Sequence, residues 1–297
     1  MLRYRGHGQW HFIFRKEEML KLNYIIIGDL PQKEICYLKR NLRTDDAEGK
    51  GVSIAGGKWT KERLRRFPAE ESILISGESE ELTAAQELGF ATIGYAPYTD
   101  NDRVDLYAEG FEEIGLTLIQ HTYERCHGIP WTILETKRCV VKEFSMEYLD
   151  ELFELYAGEG MTDYIEPLYP YEQEKEYQQA YIRCMYGFYG YGMWIVCEKE
   201  TGKLIGRAGI EYREELGGKP ELGYLIGVPY QRKGYATEIC HAILAYAKEE
   251  LEMTEILCLI EEGNRVSEHI AETLGFSFEQ VMDVGGKKMR KYVLILD

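Results

Sequence analysis

The sequence predicts an α/β protein in two parts, a Rossmann-like layer over residues 1–131 and a domain with a mixed, mostly antiparallel sheet over residues 132–297. Three observations carry this expectation. Ser72–Tyr95 runs strand, helix, strand, the order of a parallel βαβ unit. Met193–Val228 holds three strand-like runs joined by a Lys199–Lys203 turn and a loop with Gly217-Gly218, the pattern of an antiparallel meander. A glycine-containing basic turn then opens a strongly amphipathic helix.

Length and charge agree with two globular parts. A chain of 297 residues exceeds the ~100–200 residues typical of one domain, and 45% hydrophobic residues suffice for two cores. A net charge of −16 opposes binding to a phosphate backbone, so nucleic acid is not an expected partner. No apolar run reaches the ~20 residues that span a bilayer, and the start lacks a signal-peptide pattern, so no membrane partner and a cytoplasmic location are expected. Seven scattered cysteines without a CxxC pair argue against a disulfide framework and a zinc knuckle.

Residues 1–20 have no clean period and stay unassigned as strand or arm; His7 and His11 have ligand-like spacing but no Cys or His cluster beside them, so no metal is expected. Asn23–Gly28 and Ser72–Ser76 are short β-branched runs ending beside a glycine, the form of buried strands. Glu80–Leu88 places Leu82, Ala85 and Leu88 on one helix face with Gly89 as its stop, and Ala91–Tyr95 is the next strand. Gly56-Gly57-Lys58-Trp59-Thr60 lacks the P-loop spacing and is read as a turn, Asp100–Asp105 as a polar loop, and His127–Trp131 as the turn between domains.

In the second part, Arg138–Phe144 is strand-like, Met146–Tyr156 carries Leu149, Leu152, Phe153 and Tyr156 on one helical face, and Glu172–Tyr186 is a second helix. Met193–Glu198, Leu204–Tyr212 and Glu221–Val228 are the meander. Ala236, Ile239, Cys240, Ile243, Leu244 and Ala247 then form one apolar stripe of a helix, Ile256–Ile260 a further strand, and Ser277–Leu296 a hairpin closed at Gly285-Gly286.

The chemistry concentrates at Gln231-Arg232-Lys233-Gly234-Tyr235-Ala236. First-turn N–H groups have no intrahelical partner and the helix dipole is positive there, so this is an anion site. Gly234 and Ala236 leave room for a bulky diphosphate, and Arg232 and Lys233 add charge.

Gln231, Gly234 and Ala236, followed by Asn264-Arg265-Val266-Ser267 and Leu274-Gly275-Phe276, resemble the three linked motifs of the GNAT acetyltransferase superfamily over about 160 residues. Glu221-Leu222-Gly223-Tyr224 and Ser267 look most similar to its RimJ/RimL-like branch. The resemblance implies acetyl-CoA as co-substrate and N-acetyl transfer to a primary amine on a peptide N-terminus or small molecule, by direct attack. It implies coenzyme contacts from Ile226, Gly227, Val228, Gln231, Arg232, Lys233, Gly234, Tyr235, Ala236, Asn264 and Ser267, with a main-chain oxyanion donor around Gly227 and Val228. The tyrosine that many relatives use as acid is replaced by Ala271, which leaves Ser267 as the acid or as a helix-start residue. Glu166, in the loop that roofs the acceptor site in the family, is the first choice of base and Glu211 the second. Tyr164, Tyr169, Tyr171 and the run Tyr186–Trp194 suit either an acceptor grip or packing.

Ser72–Tyr95 also resembles the late motif of haloacid-dehalogenase-like phosphatases, in degenerate form: Gly77-Glu78 replaces Gly-Asp, Glu81 stands near the second acid, and Gly28-Asp29-Leu30-Pro31 replaces the nucleophile motif. That resemblance implies a non-catalytic N-terminal domain serving as sensor, dimerisation surface or scaffold, and a homodimer stays open. The competing reading of the whole chain is a non-catalytic acyl-CoA or nucleotide sensor.

Overall fold

The computed structural model describes residues 2–5, 9–12, 21–47, 49–101, 103–214 and 217–296. The chain divides into two compact units, Met1–Ile129 and Pro130–Asp297. Leu2–Arg5 (β1) and Gln9–Phe12 (β2) pair antiparallel; the rest of residues 1–20, His7 included, and the side chain of His11 lie outside the described residues.

The first unit holds a five-stranded sheet of Tyr24–Ile27 (β3), Ser53–Gly56 (β4), Ser72–Ser76 (β5), Ala91–Tyr95 (β6) and Leu106–Ala108 (β7), in the order β4-β3-β5-β6-β7 and parallel throughout. Its helices are Gln32–Thr44 (α1), Lys61–Leu64 (α2), Ser79–Gln86 (α3) and Leu116–Cys126 (α4). Alternation in the strands feeds two cores, as a sheet covered on both faces requires. Ile25, Ile27, Ile73 and Ile75 pack with Leu38 of α1 and Ile119 of α4, whereas Ile26 and Leu74 pack with Leu64 of α2 and Leu82 of α3.

At the carboxyl ends of these strands the buried Glu81 carboxylate knits three loops together. It accepts the N–H of Asp29 at 3.0 Å, the N–H of Trp59 at 2.7 Å and the Ser76 hydroxyl at 2.8 Å. A Cβ on Gly28 would sit 2.1 Å from the same carboxylate and 2.8 Å from the Ser76 Cβ, so a larger residue there would displace both side chains.

The second unit is an eight-stranded sheet, ordered β14-β15-β13-β12-β11-β10-β9-β8. Its strands are Thr132–Glu135 (β8), Cys139–Lys142 (β9), Met193–Glu198 (β10), Leu204–Arg213 (β11), Lys219–Ile226 (β12), Glu255–Glu261 (β13), Ser277–Val284 (β14) and Lys287–Ile295 (β15). Neighbours run antiparallel except β12 and β13, which are parallel and share only the Glu221–Leu257 register position. Beyond that position β12 continues to Ile226 without a ladder partner on its β13 side, so the two strands splay.

The helices are Leu149–Tyr156 (α5), Tyr171–Tyr181 (α6), Tyr235–Glu249 (α7) and Arg265–Thr273 (α8). The helix expected over Glu172–Tyr186 changes character at its end: α6 stops at Tyr181 and Ile182–Tyr189 continues as a π-helix, a geometry that recurs at functional sites. On α7, Tyr235, Ile239, Cys240, Ile243, Leu244 and Ala247 are buried; Tyr235 takes the place expected for Ala236 in the stripe.

Candidate active site

Gly234 precedes α7 with φ 78 and ψ 8, a left-handed conformation that favours glycine. Arg232 is also left-handed, at φ 58, a strain of ~1–2 kcal/mol for a side-chain-bearing residue. The first bond of the helical ladder runs from the Glu238 N–H to the Gly234 carbonyl at 3.1 Å. The N–H groups of Tyr235, Ala236 and Thr237 therefore precede the ladder, and those of Arg232, Lys233 and Gly234 make no backbone bond among the described residues. Six consecutive donors at the positive end of a helix dipole fit a diphosphate.

Two side chains hold this turn in shape. Arg138, just before β9, donates from Nε to Glu238 at 2.7 Å and from Nη1 to the Lys233 carbonyl at 2.9 Å, with its guanidinium 4.0 Å from the centre of the Tyr235 ring. Gln231 donates to the Ile226 carbonyl at 2.9 Å and reaches the Met161 sulfur at 3.6 Å, joining the end of β12 to the α5–α6 loop.

The turn opens on a cleft of about 620 Å³. Among the expected coenzyme residues, Ile226, Gln231, Arg232, Gly234, Tyr235, Ala236, Asn264 and Ser267 line it, while Gly227, Val228 and Lys233 do not. Gly160, Met161, Tyr164 and Ile165 of the α5–α6 loop form one wall, and the Tyr164 hydroxyl reaches the Gly263 carbonyl at 3.4 Å.

Of the oxyanion donors expected around Gly227 and Val228, the Gly227 group is engaged within the sheet. Gly227 donates its N–H to the Ile205 carbonyl of β11 at 2.8 Å, so that group is spent. Antiparallel ladders alternate the direction of their N–H groups, and Gly206 opposes Ile226, so the Ile226 N–H faces the splayed side of β12.

At the start of α8 the cap is Asn264, not Ser267. Asn264 Oδ1 accepts the Ser267 N–H at 3.2 Å, and both residues line the cleft. Ala271 is 2% exposed and contributes no polar group.

The structure separates the two expected bases. Glu166 is highly exposed and pairs with Lys287 of β15 at 3.2 Å, a lysine that also meets Glu261 at 3.3 Å. Glu211, on β11 opposite Glu221 of β12, accepts a hydrogen bond from the Tyr181 hydroxyl at 2.9 Å. The same hydroxyl accepts the Met193 N–H at 2.7 Å, which fixes its orientation. Burial, then the Glu211 carboxylate, pushes the Tyr181 hydroxyl well above the usual phenol range, so it stays a donor. Glu221 is otherwise engaged, by Arg213 at 2.8 Å and the Leu259 N–H at 3.3 Å. Of the tyrosines named from sequence, Tyr169 packs on Tyr177 at 5.6 Å between ring centres and Tyr177 on Tyr181 at 6.0 Å, a ladder leading to Glu211.

Sequence reasoning missed Arg138, Tyr181 and Met161, whose roles depend on contacts from distant segments. Tyr224 entered only as part of a motif, yet it too lines the cleft.

Residues 138–277 match the family model described as an acetyltransferase (GNAT) domain. The uncharacterized protein YkkB of Bacillus subtilis (strain 168) is 30% identical over 105 residues, 35% of this chain and 61% of that protein, so the chain spans under two thirds of YkkB. The uncharacterized N-acetyltransferase YoaA of the same organism is 24% identical over 152 residues, 50% of this chain and 85% of its own. The crystal structure of a GNAT-family acetyltransferase from Bacillus anthracis is similar over 55% of this chain and 97% of that one, at 19% identity and a TM-score of 0.47. The matched span contains the glycine turn, the splayed strands and the Asn264-led helix start, and the C-terminal unit is accordingly an acetyltransferase domain of the GNAT family.

Proposed function

We propose that the C-terminal domain moves an acetyl group from acetyl-CoA to a primary amine, on a peptide N-terminus or a small molecule, by direct attack. The observation that carries this reading is the row of unspent N–H groups from Arg232 to Thr237, held at the mouth of the cleft by Arg138 and Gln231. The diphosphate would sit on those donors, and the pantetheine arm would run along the splay of β12 and β13 past the Asn264 amide.

In this reading Glu211 is the base. Its carboxylate is oriented by Tyr181 and is partly open to solvent, whereas Glu166 is engaged by Lys287 at the hairpin. The amine loses its proton to Glu211 and attacks the thioester carbonyl, whose developing oxyanion meets the Ile226 N–H. The Tyr169–Tyr177–Tyr181 ladder suits an acceptor that arrives as an ammonium ion.

For the N-terminal unit the proposal remains a non-catalytic scaffold or sensor. Three donors already converge on the Glu81 carboxylate at the strand ends, where a phosphate ester would need them free.

The test is thiol release from acetyl-CoA by the full chain across a panel of peptide N-termini, polyamines and amino sugars. Release that depends on one amine class supports the transferase. Tight coenzyme binding with no release from any amine would favour the sensor reading.

A further inference from the structure

A glycine trough crosses the sheet between the coenzyme cleft and the proposed base. Met193 of β10 pairs with Gly209 of β11, and Gly209 with Gly223 of β12, so the three residues form one rung across three strands. Residues directly opposite one another present the same face, so the Met193 side chain projects over two neighbours that have none. It lies across them: a Cβ on Gly223 would sit 3.1 Å from the Met193 sulfur and 3.6 Å from its terminal methyl.

The adjoining rungs show what this side chain separates. On one side stand Ile195, Arg207 and Leu225, and Leu225 lines the cleft. On the other stand Glu211 and Glu221. Successive rungs on one face are two residues apart, about 7 Å. An acyl chain that extends from the unpaired edge of β12 toward Glu211 therefore meets the middle rung, where the thioether already lies.

Met193 is half-buried, and both of its backbone groups are held. It donates its N–H to the Tyr181 hydroxyl at 2.7 Å, and its carbonyl accepts the Tyr186 hydroxyl at 2.6 Å. The Tyr181 hydroxyl is also the group that orients Glu211, at 2.9 Å, so one atom places both the wall and the base. A Cβ on Gly209 would strike the Gly192 carbonyl, so glycine there lets the chain leading into Met193 lie close on the sheet.

We propose that Met193 is a specificity-determining residue whose thioether walls off the space between Leu225 and Glu211 and limits the transferred acyl group to two carbons. The assignment rests on the acetyl-CoA reading and on Glu211 as base. Two further methylenes on the acyl group would have to displace the thioether, and a packed site resists each added methylene. Removing the thioether would leave the glycine trough open as a channel for a longer chain.

Calorimetry with acetyl-CoA and butyryl-CoA tests this without an acceptor amine. The full chain is compared as wild type, Met193→Ala and Met193→Leu, with thermal melts alongside. Wild type should bind butyryl-CoA about 10-fold or more weakly than acetyl-CoA. Met193→Ala should abolish that preference by gaining affinity for butyryl-CoA, whereas Met193→Leu, of similar volume, should keep it. A merely structural methionine would not produce a gain of affinity for the longer chain. If alanine costs the fold, Met193→Val, shorter and suited to a strand, carries the same expectation. Equal binding of the two acyl-CoAs by wild type, or an unchanged preference in the shortened variant, would overturn this inference alone. If wild type binds neither acyl-CoA, the acetyl-CoA reading fails with it.

Discussion

Arg138 and Glu238 lie 100 residues apart in sequence and 2.7 Å apart in the fold. The pair ties the start of β9 to the first turn of α7, and the same guanidinium holds the Lys233 carbonyl. Both partners are partly exposed, so the ion pair contributes only ~0–1 kcal/mol to stability. Its larger effect is on the shape of the coenzyme turn. Arg138→Ala should raise the Kd for acetyl-CoA about 5- to 10-fold, roughly the ~1 kcal/mol of a lost ordering contact, with a small change in melting temperature. Equal affinity in the variant would show that the turn holds itself.

Asn264 serves the fold with its oxygen and is free to serve the ligand with its nitrogen. Asn264→Asp keeps an acceptor for the Ser267 N–H and should keep the melting temperature. It replaces an amide donor with a carboxylate facing the pantetheine, so coenzyme affinity should fall by roughly 10-fold. Asn264→Ala should lose both, including ~1 kcal/mol of helix capping. Isothermal titration beside thermal melts separates the two variants.

Glu211 as base predicts that Glu211→Gln lowers kcat by about 10²-fold or more while acetyl-CoA binding is retained. Glu166→Gln should leave kcat within about 2-fold, as expected for an exposed residue in a hairpin ion pair. Steady-state kinetics on the best amine decide between them, and the reverse pattern would move the base to the roof loop.

The N-terminal unit carries its own pH signature. His121 on α4 is pushed down from 6.5 to about 4, first by burial and then by Arg125. The unfolded chain binds a proton that the folded one resists, so stability is fully present above 6.5 and is lost as pH falls through the window to about 4. His121→Gln should flatten that loss. Urea midpoints measured above and within the window would show it, and parallel wild-type and variant curves would contradict it.

Much of the active-site frame was legible in the sequence because it depends on local rules. A glycine before an apolar stripe marks a helix start, and the Gly234 turn, the Asn264 block and the final hairpin are each local. In the first unit β5, α3 and β6 followed their patterns, whereas β4 carries small residues and β7 is only three residues long, too little to show a period. The surroundings of Glu211 were less legible because they are made by pairing. Glu211 gains its orientation from Tyr181, 30 residues earlier, through the end of a helix that turns π, and nothing in either segment announces the other. That the Gly227 N–H is spent on Ile205, with the Ile226 N–H facing the splayed side of β12, was not legible because only the strand register shows it.

The central claim is that the Arg232–Thr237 turn binds the diphosphate of acetyl-CoA, and calorimetric titration of acetyl-CoA into the full chain and into Gly234→Glu tests it most directly. The substitution forces a side chain onto a backbone at φ 78 and puts a carboxylate beside the free N–H groups. The account predicts micromolar binding by the wild type and its loss in a variant whose far-ultraviolet circular dichroism is unchanged. Absent binding by the wild type, or equal binding by both, would contradict it.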